Sequence, residues 1–511
     1  MTRPARTHGL PFLGPLDRAS RDLGRQLAQS LRAAIQRGDL RPGEALPSTR
    51  ALATALGVAR GTVVEAFEQL IAEGFLEARP RGSTRVTRSA SEGRPVSRVR
   101  RPAGPPRSRR LPDAAAAFTR VAEQFTPLPG VPFAISVPGG ATAPGDTWRR
   151  LGNRLRARGP SAPSGYADAQ GALPLREQIA HYVRRGRAVH CDASQVVITS
   201  GTQQGLYLAA QVLVGPTEAS WVENPAYPAL TAILTTTGRG SRMTRVPVDA
   251  EGLDVARALT LAPDAAAAFV TPSHQYPLGM PMSMSRRAAL LEWARVRGSW
   301  IVEDDYDSEM RYAGHPFPSM QGLDPDRVVY LGTFSKVLFP SLRLGYAIVP
   351  TDLVRPFIGA RILLDRHPPT ADQHVLAAFI ADGQLERHIR RLRGVYAAQR
   401  THLVEVFDRV LPAAVGHVQP CDQGMHMVVW LRNDIDDVAV AAAAVASGIS
   451  VRPVSPMYAA GTARPGLLLG FGGYRAEDVE SAARRLAAVI KATASRIAPG
   501  RGRTRPPPQT P

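Results

Sequence analysis

Residues 330–346, YLGTFSKVLFPSLRLGY, contain Lys336, and the 511-residue chain has only one other lysine, Lys491. The remaining 61 of its 63 basic residues are arginine. An amine set among Phe334, Val337, Leu338 and Phe339 points to chemistry that a guanidinium cannot do, addition to a carbonyl to form an imine. Thr333 and Ser335 flank it, and Arg343 follows seven residues later. Elsewhere, Asp304 and Tyr306 follow the apolar run SWIVE two residues apart, which places them on one side of an extended strand end. After the run QVVITS, Gly201, Thr202 and Gln203 open a helix carrying Leu206, Leu208 and Ala209. That turn offers unbonded N–H groups and a positive helix end to a phosphate.

An amine, a carboxylate, a phenol and an anion cradle are together what pyridoxal 5′-phosphate requires. The amine bonds the aldehyde, the acid keeps the ring nitrogen protonated, and the cradle holds the phosphate. Asp305, next to Asp304, reads as a solvated or capping carboxylate. Ser335 reads equally as a phosphate donor or as a turn cap. Cys191 and Cys421 show no metal-ligand spacing and no disulfide framework, so no metal is assigned, the thiols read as core residues, and a reducing cytoplasm is the expected compartment.

The elements that would position these groups alternate apolar runs (SQVVITS, SWVEN, AAAFVTP, SWIVEDD, RVVYLGT, RLGYAIVP) with amphipathic helical stretches over residues 118–494. This predicts a large α/β domain with a mostly parallel sheet, whose ligands gather at the carboxyl ends of the strands. Residues 87–117, rich in Pro, Ser, Gly and Arg, read as a basic linker, and residues 495–511 as a disordered basic tail. No apolar run is long enough for a membrane span and none resembles a signal peptide.

Ahead of the linker, residues 15–86 form a separate α+β unit. Leu23, Leu27, Leu31 and Ile35 recur every fourth residue and predict a first helix, stopped by Gly38. Ser48 caps a second helix that ends at Gly57, and a third starts near Arg60 with Val63, Phe67, Leu70 and Ile71 as its buried stripe. Two short extended segments around residues 79–82 make a basic wing. Helix, short turn and helix is the pattern that presents the second helix to the major groove of DNA. The charge agrees: residues 1–112 carry 21 Arg against nine acids, whereas the 383 residues from 113 to 495 carry a net charge of only +4.

The segment GDLRPGEALPSTRALATALGVARGTVVEAFEQLIAEGFLEARPRGSTRV resembles the winged-helix domain of GntR-type regulators. The resemblance implies double-stranded DNA as a partner, with contacts by Ser48, Arg50, Arg60, Thr62 and the wing residue Gly82. The chain departs from that pattern at Ala59, where a capping Ser is usual, and at Gly61, which weakens the first turn of the reading helix. The segments GYADAQGALPLREQIAHYV, ITSGTQQGL, ENPAYP, TPSHQYPLGMPMS, IVEDDYDSEM and GTFSKVLFPSLRLGY resemble fold-type I aminotransferases. This second resemblance implies that Lys336 forms the imine, Asp304 pairs with the ring nitrogen, Tyr306 bonds the ring hydroxyl and Tyr227 stacks on the ring. It assigns Gly201, Thr202, Gln203, Thr333, Ser335 and Arg343 to the phosphate and places His274 or Gln275 at the ring edge. Aminotransferases usually clamp the substrate carboxylate with an Arg near the carboxyl end; here Leu468 stands at that position, and Arg452 and Arg464 are the candidates to replace it.

A winged helix, a basic linker and an aminotransferase-like body, in that order, resemble the MocR subfamily of GntR regulators. The resemblance implies a pyridoxal-phosphate-dependent transcriptional regulator that senses the cofactor, or an amine or amino acid reacting with it, as a head-to-tail homodimer. The alternative is an active aminotransferase that carries a DNA-binding module.

Overall fold

The computed structural model describes residues 16–18, 20, 22–78, 83–88, 113–125, 130–138, 145–157, 165–314, 317–419 and 421–497. Residues 79–82, with the wing candidate Gly82, and most of the expected linker and tail lie outside this set. The chain divides into two compact units, Met1–Leu111 and Pro112–Pro511. Residues 113–117, which composition places in the linker, are the start of a helix, Asp113–Gln124. Likewise, residues 495–497 of the expected tail still belong to the helix Ala476–Ile497.

In the first unit, α1 (Leu23–Arg37) buries Leu27, Leu31 and Ile35 on one face, and Gly38 ends it in the left-handed region. Leu23, the first residue of that stripe, is half-buried. α2 (Thr49–Leu56) is capped by Ser48, whose hydroxyl accepts the Ala51 N–H at 3.2 Å. α3 (Arg60–Ala72) starts from Ala59 with no side-chain cap and buries Val63, Ala66, Phe67 and Leu70. Ile71, expected in that stripe, is instead 37% exposed. At roughly 100° per residue it lies about 90° from the centre of the stripe, on its solvent edge. The strands β1 (Leu76–Glu77) and β2 (Arg85–Val86) pair antiparallel and close the unit.

The second unit is built on β3 (Val196–Thr199), β4 (Ser220–Asn224), β5 (Met243–Asp249), β6 (Gly252–Leu253), β7 (Ala267–Val270), β8 (Trp300–Asp305), β9 (Val328–Thr333) and β10 (Gly345–Ile348). They form an eight-stranded sheet in the order β3-β10-β9-β8-β7-β4-β5-β6. β9, β8, β7, β4 and β5 run parallel, β10 lies antiparallel between β3 and β9, and β6 is an antiparallel edge. Every residue of β3, β4, β7, β9 and β10 is buried, as continuous apolar runs require when both faces of a sheet are covered.

A 27-residue helix, Gln384–Val410, leads into a smaller antiparallel sheet. Its strands are β11 (Gly416–Val418), β12 (His426–Leu431), β13 (Arg452–Pro453) and β14 (Gly466–Gly470), in the order β11-β12-β14-β13. Among the described residues, no helix is long and apolar enough to cross a membrane.

Candidate functional site

The carboxyl ends of β3, β4, β7, β8 and β9 lead into Thr202, Tyr227, Tyr276, Tyr306 and Lys336, with Asp304 itself near the end of β8. These six side chains, with Arg452 of β13 and His426 of β12, line a cavity of ≈ 160 Å³. A site at the strand ends, completed by a second sheet, is where an open α/β fold collects ligands.

Lys336 lies in the turn three residues past the end of β9, held by the Phe334 N–H on the Leu344 carbonyl at 3.1 Å and the Leu338 N–H on the Phe334 carbonyl at 2.8 Å. Burial pushes its ammonium down to about 8, while the carboxylates of Asp307 and Asp304 hold it up against that effect. A minor fraction, on the order of a tenth at pH 7, is then neutral and nucleophilic. Asp304 is buried, and burial together with neighbouring Asp305 pushes its carboxyl up to about 7, against a hydrogen bond from Thr202. Its Oδ1 has no hydrogen-bond partner among the described residues. A buried carboxylate oxygen left unbonded at a cavity wall costs free energy that a cationic N–H in the cavity would recover.

The residues expected to cradle an anion come together where three strands align. Thr199 of β3 faces Gly345 of β10, which faces Thr333 of β9. A side chain at Gly345 would put its Cβ 2.7 Å from the Cα of Gly201, so this crossing admits none. Gly201 has φ 92°, the region that favours glycine, and begins the helix Thr202–Leu213. The Arg343 guanidinium lies over that turn: it donates to the Ser200 carbonyl and would meet a Cβ at Gly201 from 3.4 Å. Thr333 Oγ1 lies 3.1 Å from Ser335 Oγ and accepts the Ser335 N–H at 3.2 Å. Gln203 points to solvent in the first helical turn; its neighbour Gln204 closes the turn instead, accepting the Ser200 N–H at 2.8 Å.

Behind Tyr306 lies a group of polar residues of which sequence reasoning assigned only His274 to the site, reading Cys421 as a core thiol. Nδ1 of His274 is 3.1 Å from the Tyr306 hydroxyl and 2.9 Å from Asp307 Oδ2, and Cys421 Sγ is 3.7 Å from its Nε2. Burial opposes a charge on His274, but the Asp307 carboxylate prevails and holds the imidazolium up to about 10. The ring of His426, 4.7 Å away, is driven well below the ordinary range by burial and by His274, and is neutral. His274, Asp307 and His426 hold ligand atoms within 4.8 Å of one another, but the direct His274–Asp307 bond already engages the carboxylate.

Gln275 does not line the cavity. Its amide is spent on Pro225 O at 3.0 Å, Tyr276 O at 2.8 Å and the Leu278 N–H at 2.9 Å. Tyr276 is the residue of this run that reaches the cavity, its ring edge-on to Tyr227 at 5.4 Å. Asp305 is not the solvated or capping carboxylate expected from its sequence. It is buried, paired with Arg187 at 2.8 Å, and accepts the Tyr330 hydroxyl at 2.5 Å. Strand alternation turns it away from Asp304, to the opposite face of the sheet.

Comparison with known proteins agrees with this architecture. Residues 141–486 match the family described as aminotransferase class I and II, and residues 23–86 match the family of bacterial regulatory proteins, gntR family. The probable rhizopine catabolism regulatory protein MocR of Rhizobium meliloti is 35% identical over 473 residues, covering 90% of this chain and 92% of that protein. The HTH-type pyridoxine biosynthesis transcriptional regulator PdxR of Corynebacterium glutamicum is 34% identical, covering 88% and 92%. The chain belongs to the MocR subfamily of GntR-type regulators.

Among solved structures, LysN, the α-aminoadipate aminotransferase of Thermus thermophilus, superposes with a TM-score of 0.67 at 24% identity, covering 75% of this chain and 98% of its own. That likeness fixes the fold. The kynurenine aminotransferase of Pyrococcus horikoshii, solved in complex with PMP, gives 0.64 at 26% identity over 75% and 95%. The MocR-type chain is thus a DNA-binding transcriptional regulator with an aminotransferase-like domain.

In this regulator the two candidate arginines lie in different places. Arg464 is exposed, its guanidinium 3.9 Å over the Trp430 ring, and is absent from the cavity lining. Arg452 lines the cavity, and its buried Nε has no partner among the described residues. Arg452 also pairs in register with Leu468 across β13 and β14. The guanidinium therefore enters from the strand beside the position where the aminotransferase pattern places it.

Proposed function

We propose that the aminotransferase-like domain binds pyridoxal 5′-phosphate and uses it to sense the cofactor or an amine or amino acid, and that this sets the DNA affinity of a cytoplasmic homodimer. One observation carries the proposal: the unbonded Asp304 Oδ1 and the Lys336 amine open into the same cavity. When bound, the cofactor supplies an electrophilic aldehyde and an electron-withdrawing ring. Lys336 offers an amine that loses its proton far more readily than an exposed lysine. Asp304 accepts the ring N–H and retains the proton there. Tyr306 donates to the ring hydroxyl with His274 behind it, and Tyr227 covers the ring. Gly201, Thr202, Thr333, Ser335 and Arg343 hold the phosphate with backbone N–H groups, hydroxyls and a guanidinium. Arg452 binds the carboxylate of an amino-acid effector. In the first unit, Arg50, Arg60 and Thr62, exposed or half-buried around α2 and α3, meet the operator together with Ser48 and Gly82.

Exchanging Lys336 for an effector amine favours one arrangement of the dimer and so changes the spacing of the paired winged helices. The test is absorbance of the purified chain with added pyridoxal phosphate, followed by operator binding with and without amino acids. A colourless protein, or operator affinity indifferent to both ligands, rejects the proposal. The placement of Arg452 in the cavity equally favours an amino-acid substrate, so turnover with a keto acid at ordinary aminotransferase rates would assign the chain to the enzyme reading.

A further inference from the structure

A second cavity, of ≈ 390 Å³, lies between the end of the helix Leu173–Arg187, the loop after β8 and the first turns of the helix Gln384–Val410. Five arginines line it, Arg185, Arg187, Arg311, Arg390 and Arg393, against two acids, Glu309 and Glu386. Two of the five are already compensated: Arg187 by Asp305 at 2.8 Å, and Arg185 by Glu386 at 3.4 Å. The other three have no carboxylate among the described residues. Arg393 donates to the backbone carbonyl of Glu309, and Arg311 to the side-chain amide oxygen of Gln423 at 2.7 Å. Arg311 Nε is buried without a partner among the described residues. Glu309 is only partly ionised near neutral pH, because burial and Asp305 push its carboxyl up to about 7.

Arg286 of the same unit, by contrast, has Asp249, Glu251 and Asp254 within 3.8 Å. Uncompensated guanidiniums converging on a concavity, rather than spread over a convex face, concentrate positive potential there. Their planar forks match oxyanions bidentately. The size of the cavity suits a small molecule rather than a duplex backbone.

The lining also touches the first site. Arg187 Nη2 donates to Ser273 Oγ at 2.7 Å, and Gln423, held by Arg311, donates to the Ser273 carbonyl. Ser273 precedes His274, which contacts Tyr306.

We propose that this cleft binds a small dianion, either a phosphate monoester or a dicarboxylate, as a second ligand of the regulator, linked through Ser273 to the lysine-bearing cavity. The inference goes beyond the cofactor reading and does not need it.

The experiment is isothermal titration calorimetry of the full chain, preloaded with pyridoxal phosphate so that the phosphate cradle is filled. Inorganic phosphate and succinate are titrated separately, at an ionic strength fixed with sodium chloride. One saturable site per chain is expected for at least one probe, weakened at least tenfold in the Arg390→Ala/Arg393→Ala double variant, with the visible band of the cofactor retained. Phosphate binding alone selects the phosphate-monoester class, and succinate binding alone the dicarboxylate class. Absence of saturable heat with both probes, or equal binding by the double variant, overturns the proposal. So does a double variant that loses affinity for random duplex DNA while neither probe binds, since the cleft is then a nucleic-acid contact. A chain that takes up no cofactor yet binds a probe through Arg390 and Arg393 refutes the cofactor reading and leaves this one standing.

Discussion

The hydroxyl of Tyr306 lies 3.1 Å from Nδ1 of His274, and the same nitrogen lies 2.9 Å from the carboxylate of Asp307. Both partners of the His274–Asp307 pair are at most 2% exposed, so each is the other's main compensation for lost water. His274→Phe is expected to destabilise the chain by about 3–5 kcal/mol because a buried carboxylate loses its cation, and His274→Phe/Asp307→Leu to recover most of that. Urea unfolding of the three proteins reads the difference; equal stabilities would show that the pair carries no charge. The sign with pH also follows. The folded pKa of His274, about 10, is above the ordinary value of 6.5, so the pair's stabilisation is complete below about pH 6.5 and fades as pH rises towards 10. The gap between wild type and double variant should narrow over that window.

Lys336→Ala should abolish the yellow absorbance formed with pyridoxal phosphate, since Lys491 is exposed on the last helix. In the cofactor-free wild type, the rate of colour formation should rise through pH about 8, where burial has placed the amine, rather than through 10.5. Asp304→Asn should move that midpoint lower, because the Asp304 carboxylate favours the ammonium. A midpoint unchanged in Asp304→Asn would exclude that carboxylate from the amine's surroundings.

Arg452→Gln is expected to weaken the effect of carboxylate-bearing amines about 10- to 100-fold, the range for losing a charge-assisted hydrogen bond of about 1.5–3 kcal/mol. Amines without a carboxylate should be unaffected. Arg464→Gln, which leaves the cavity intact, should change neither. Spectral titration with an amino acid and its decarboxylated amine makes the comparison, and equal losses for both ligands would remove Arg452 from carboxylate recognition.

Arg60→Ala should weaken operator binding by about 1–3 kcal/mol and leave random duplex DNA nearly unchanged, because a base-edge contact discriminates whereas phosphate contacts do not. Salt-dependent titration of both duplexes separates the two kinds of contact. A uniform loss would reassign Arg60 to the phosphates.

Ala59→Ser should add about 0.5–2 kcal/mol to the stability of the winged-helix unit, since α3 begins with no side-chain cap. Gly61→Ala should add a little under 1 kcal/mol, as nothing lies within 4 Å of a Cβ there. Thermal unfolding followed on both variants tests the two effects, and a lowered midpoint would show that the first turn of α3 depends on the glycine.

The sequence made the local features legible because local rules govern them. The Ser48 cap, the Gly38 and Gly57 stops and the strand-end placement of Asp304, Tyr306 and Lys336 each follow from a few neighbouring residues. The misread features depend on the surroundings. Ile71 sits one residue past a stripe whose centre only the packed core defines. Asp305 is buried because Arg187, 118 positions earlier, comes to meet it. Arg452 and Arg464 could not be told apart, since their difference is which one the small sheet directs into the cavity. His426, a lone histidine opening an apolar strand, carries no local signal at all. Asp307 does carry one: it lies two residues past Asp305 in EDDYD, within the same acidic run that marked Asp304.

The placement of β10 between β3 and β9 bears on the order in which the regulator comes off the ribosome. The Gly201 turn cannot acquire Arg343, nor β3 its neighbour Gly345, until synthesis has passed residue 348. The winged helix is complete by Val86, so roughly 260 residues of translation, on the order of 10–50 s, separate the two events. Every newly made chain passes through an interval in which its DNA-reading unit can fold while the Gly201 turn and its strand neighbours cannot.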